Sequence, residues 1–235
     1  MMQTVFETFP FLVPWFATDT PVLPGLTLVR WAQTVVWGIV WAGLAARLLA
    51  RQPRAVRCAA MVLAALWVLL PGAWSPAWWL GLAFQQPSHV TVLVCAGFVF
   101  IGSRQGASIG QGPLRAPSKP VLTTARALAL VLGAVLLADM FILLPFSLYR
   151  WGFSSFAFGL LLAVGLLVWL AARSETSRRD AQLACAALAL FALTRLPSGN
   201  VFDALIDPWL WMVLLARSLQ LGYRTLKSRF SKSGF

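Results

Sequence analysis

Between Thr123 and Trp151 the chain reads TTARALALVLGAVLLADMFILLPFSLYRW, and within its apolar part lies a single carboxylate, Asp139. A run of this length crosses a bilayer, which takes roughly 20 residues as a helix. A charge near the bilayer centre costs roughly 3 kcal/mol or more, so such a residue has a partner or a task. The partner expected from the sequence is Arg195, another ionisable group inside an apolar segment. Asp139 and Arg195 are therefore read together, as a structural ion pair (or an Arg that snorkels to the outer headgroups) or as a substrate, proton or lipid site.

Similar apolar runs recur along all 235 residues, 60% of which are hydrophobic and 11% charged. Soluble domains carry roughly 25% charged residues, so lipid is the main solvent of this chain. The sequence is expected to form an all-α, polytopic membrane bundle of about seven helices, in one domain covering residues 1–235. The expected spans are Leu26–Leu49, Val56–Leu70, Ser88–Ile101, Thr123–Phe146, Phe153–Ala172, Ala181–Leu196 and Pro208–Tyr223. Asp207-Pro208 makes a good start for the last, since Asp accepts backbone N–H bonds and Pro fits the first helical position.

Two short segments fit the membrane interface. Residues 4–18 are aromatic and cut by Pro10 and Pro14, too short to span; they lie at the interface or re-enter the bundle. Residues 76–84 follow Pro71-Gly72 and carry Trp78 and Trp79, which favour headgroup depth. Residues 102–120, GSRQGASIGQGPLRAPSKP, form the longest polar connection. They lack the Gly-Lys-Ser/Thr ending that would let a glycine-rich loop hold phosphate.

Net charge is +12, yet sixteen of nineteen Lys and Arg fall at 47–57, 104–126, 173–179 and 217–232. These are alternate connections of a seven-span chain, so the positive-inside rule places them in the cytoplasm. The N-terminus is then outside and residues 224–235 form a basic cytoplasmic tail. The charge is one of topology and implies no nucleic-acid partner. No positive region precedes the first apolar residues, which argues against a signal peptide. The expected location is the cell inner membrane, multi-pass.

Few residues could carry chemistry. His89 is the single histidine, and the three cysteines form no CxxC pair, so neither a zinc site nor another metal site is implied. No cofactor is expected. The outer face gathers His89, Arg150, Asp203, Asp207, Trp78 and Trp79, a group suited to a sugar or lipid headgroup. Asp203 and Asp207, four apart, would share a face of a helix. No set of catalytic residues is apparent. The leading expectation is a non-catalytic subunit or scaffold of a larger inner-membrane assembly, whose partners are membrane lipids and other membrane-protein subunits. The alternatives are a transporter or flippase-like protein using Asp139 and Arg195, and an enzyme acting on a lipid-linked substrate at the outer face.

Overall fold

The computed structural model describes residues 23–104 and 122–232. The described residues are all-helical, with no strand. The helices are α1 (Leu26–Leu48), α2 (Arg54–Trp67), α3 (Pro76–Phe84), α4 (His89–Arg104), α5 (Thr124–Met140), α6 (Ser155–Ala171), α7 (Glu175–Thr194), α8 (Val201–Leu205) and α9 (Pro208–Lys232), with 3-10 turns at Gly72–Trp74 and Tyr149–Phe153. Among the described residues, α1 alone passes by length and composition as a membrane-crossing helix, while α4 and α6 are shorter apolar helices.

The turn at Tyr149–Phe153 packs on α6 and α8, and α8 in turn touches α4 and α7, while α3 packs on α1. The α1, α2 and α4 helices pack as one group, and α6 packs on α7, which also touches α4, α5 and α8. Where α1 meets α4, a Cβ on Gly43 would stand 2.6 Å from Cys95 Cβ, so only glycine permits this approach. A second close approach joins α5 to α9: Trp211 lies against Gly133 and donates from its ring nitrogen to Leu130 O at 3.1 Å. Three buried clusters follow this grouping. The largest joins Ala157, Leu188, Phe191, Val201, Phe202 and Ala204. The others centre on Trp37, Val68 and Ala77, and on Ala42, Ala46 and Met61.

Several boundaries differ from those the sequence predicts. Helix α5 ends at Met140 rather than Phe146. Pro145 has no N–H and disfavours a helical Leu144. The chain turns earlier, with Ile142 at φ +57 and Leu143 N donating to Ala138 O. Asp139 is thus the penultimate residue of its helix, not a charge deep inside a span. Helix α7 begins at Glu175, six residues before the expected Ala181. Ser174 caps it by accepting from Ser177 N at 3.1 Å, and Glu175 pairs with Arg179 at 3.0 Å. The α9 helix continues to Lys232, so nine residues of the tail 224–235 are helical. Residues 4–18 and 105–120 lie outside the described residues; 102–104 belong to α4. A short helix does occupy Pro76–Phe84, with Ser75 donating to Val68 O at 2.7 Å beneath it.

Candidate functional site: an acidic cavity at the α8 end

The sequence brings three carboxylates to one end of the bundle by three different local devices. Asp139 stands on the last turn of α5, Asp203 on the short α8, and Asp207 at the start of α9. Asp203 and Asp207 do not share a helix face, because Ile206 is extended and separates α8 from α9. Asn200 starts α8 by accepting from Phe202 N at 2.9 Å. Together with Ser147, Tyr149 and Trp211, the three carboxylates line a cavity of about 490 Å³.

Tyr149 ties two of them together. Its backbone N–H donates to Asp139 Oδ2 at 2.7 Å, and its hydroxyl donates to Asp203 Oδ2 at 2.6 Å. Ser147 adds a long bond of 3.4 Å to Asp139 Oδ2, and Ser198 donates a short one to Asp203 Oδ2. The turn carrying Tyr149 is fixed from below, where Asn200 Nδ2 donates to Tyr149 O at 2.8 Å and Gly152 leaves room for the Asn200 amide. Among the described residues, neither Asp139 Oδ1 nor Asp203 Oδ1 has a protein donor.

Asp207 differs. Its Oδ2 accepts from Ser88 N at 2.9 Å, Ser88 Oγ at 2.8 Å and Thr91 Oγ1 at 2.6 Å, while Oδ1 accepts from Leu210 N at 2.7 Å as a helix cap. This carboxylate fastens α4 to α9. Burial pushes the Asp203 carboxyl above the ordinary carboxylate range, against the opposing pull of the Ser198 and Tyr149 hydrogen bonds. The Tyr149 phenol is also raised, by burial first and then by the neighbouring Asp203 charge.

The expected Asp139–Arg195 ion pair does not form. Asp139 takes its hydrogen bonds from residues 147 and 149, and Arg195 ends α7 in the left-handed conformation at φ +58 with its guanidinium 5.4 Å from the Phe191 ring centre. The reason is local: with α5 ending at Met140, its last carboxylate is captured by the turn that follows. Of the expected outer-face group, Asp203 and Asp207 line the cavity, whereas His89, Arg150, Trp78 and Trp79 do not. Trp78 and Trp79 pair edge-to-face at 4.7 Å on α3. His89 is buried at the start of α4, where its Nε2 has no hydrogen-bond partner among the described residues. Tyr149 is the residue that sequence reasoning missed; its partner Asp203 is 54 residues away, beyond any local pattern.

Among the described residues, no group of three or more His, Cys, Asp or Glu is arranged to hold a metal ion. What the arrangement offers is two free carboxylate oxygens and a phenol in a confined space, which suits a cationic or hydroxyl-rich group. Comparison of the chain with protein-family models, curated proteins and solved structures finds no match.

Proposed function

We propose that this chain is a seven-span integral protein of the cell inner membrane, with its N-terminus outside and its C-terminus in the cytoplasm. Two features support this topology: the seven longer helices among the described residues, and the sixteen of nineteen Lys and Arg that fall in alternate connections along the sequence. Several of these helices are short for a 30 Å hydrocarbon core; α4 has 16 residues and α5 has 17, or roughly 24–26 Å at 1.5 Å per residue. Their exposed aliphatic side chains fit a lipid surround.

At the outer face the protein binds the cationic or hydroxyl-rich part of a substrate, the transporter-like reading. The observation that carries it is the cavity in which Asp139 and Asp203 each keep one oxygen free beside Tyr149. Arg195 has no part in it. The test is a thermal-shift screen of the detergent-purified protein against polyamines, choline and neutral sugars. At least one compound should raise the Tm of the wild type and leave the Asp139→Asn/Asp203→Asn variant unmoved. A screen in which no compound separates the two proteins counts against the reading.

A second reading, a non-catalytic subunit of a larger assembly, is supported by the many large hydrophobic side chains exposed on the helices. A protein co-purifying at fixed stoichiometry with wild type and with the double Asn variant alike would support it. The enzyme reading needs His89 and Arg150 beside the carboxylates, and neither lines that cavity.

A further inference from the structure

Beyond Ile206, which lines both spaces, the interior of the bundle opens into a second cavity of about 640 Å³ between α4, α5, α6, α7 and α9. Its lining on α9 runs from Leu210 to Leu221, roughly 16 Å at 1.5 Å per residue. The walls are almost wholly aliphatic. The volume falls within the range of about 300–1,000 Å³ typical of ligand sites. An apolar space this large loses dispersion contacts along its whole lining unless something apolar fills it.

The basic end of the cavity is different. Arg126, Asp180, Arg217 and Ser218 line it there. Asp180 holds Arg126 in a two-pronged pair, at 2.9 Å and 3.1 Å, and so neutralises it. Arg217 is exposed and has no ion-pair or hydrogen-bond partner among the described residues. The mouth therefore sets one net positive charge beside an aliphatic tube.

We propose that this cavity holds an acyl chain of an anionic phospholipid of the inner leaflet, with the lipid phosphate on Arg217. Both halves of the molecule are matched: the tube takes the chain, and the guanidinium takes the phosphate, for which its planar donors are suited. By its composition, the chain's own segment 105–121 is a poor occupant. It carries Arg115 and Lys119, no acid, and a run of Gly, Ser, Gln and Pro. Inorganic phosphate alone would leave the aliphatic walls bare.

Native mass spectrometry of the full chain, released from mild detergent with phosphatidylglycerol and phosphatidylethanolamine of matched chains, tests this. The wild type should keep one phosphatidylglycerol under activation that strips phosphatidylethanolamine. Arg217→Gln should reduce that preference about tenfold, and Ala129→Phe, which narrows the tube, should lose the retained lipid of either kind. Equal retention of the two lipids by the wild type overturns the proposal. So does unchanged phosphatidylglycerol retention in Arg217→Gln, a substitution at an exposed position that decides the matter should Ala129→Phe fail to fold. Displacement of the lipid by inorganic phosphate alone would show a headgroup site without an occupied tube, and would overturn it too.

Discussion

At the scale of single residues, the position of each charge relative to a helix end decides its role. Asp139 and Arg195 share no partner, so a double-mutant cycle between Asp139→Ala and Arg195→Ala should be additive within about 0.5 kcal/mol. A larger coupling, read by chemical unfolding in detergent, would restore the ion pair. Arg195 also adopts a backbone conformation that suits glycine, at φ +58. Arg195→Gly should therefore raise stability by roughly 0.5–1 kcal/mol, whereas Arg195→Ala should not. Asp203 gives a pH dependence of definite sign. Its carboxyl is raised on folding, so its contribution to stability is fully present below the ordinary carboxylate value of 3.8 and is lost as pH rises through the folded value. Melting curves across the acid range should show this decline in the wild type and not in Asp203→Asn.

At the scale of elements, two contacts control how the helices sit. Gly133 lets the Trp211 ring against α5, and an added methyl there would collide with it. Gly133→Ala should destabilise the protein by about 1–3 kcal/mol through overpacking, and the Tm should fall accordingly. Arg57 is fully buried and donates from Nε to Gly102 O at 2.8 Å and, more weakly at 3.4 Å, from Nη1 to the carbonyls of Ala50 and Gln52. It thus meets the negative ends of α1 and α4, where unpaired carbonyls gather. The sequence shows Arg57 only as one of four arginines in a basic connection, since charge patterning cannot distinguish a solvated arginine from a buried one. Asp207-Pro208 was legible as the start of α9. The stop of α5 was not, since the expected span ran past Pro145 to Phe146, and neither was the cap Ser174, which the charges around it obscured. Tyr149 carried no such signal, because its value lies in the distant Asp203 and in a turn whose geometry depends on Asn200.

At the scale of the whole molecule, orientation is the property that most directly separates the readings, because it decides which compartment the acidic cavity faces. A phosphatase reporter active only outside the cytoplasm should be silent when fused after Phe235 and active when fused between α7 and α8. The reverse pattern would turn the acidic cavity to the cytoplasm. The Asp207 clamp adds a consequence for the order in which this bundle is made. Its partners Ser88 and Thr91 are 119 and 116 residues earlier in the chain. During synthesis α4 is complete long before Asp207 leaves the ribosome, and until then these hydroxyls lack the acceptor that holds them. Asp207 thus adds a late polar tie between α4 and α9 to the packing of α4 on α7 and α8. A chain stopped just short of residue 207 should insert normally, yet remain open to protease and to thiol reagents at Cys95.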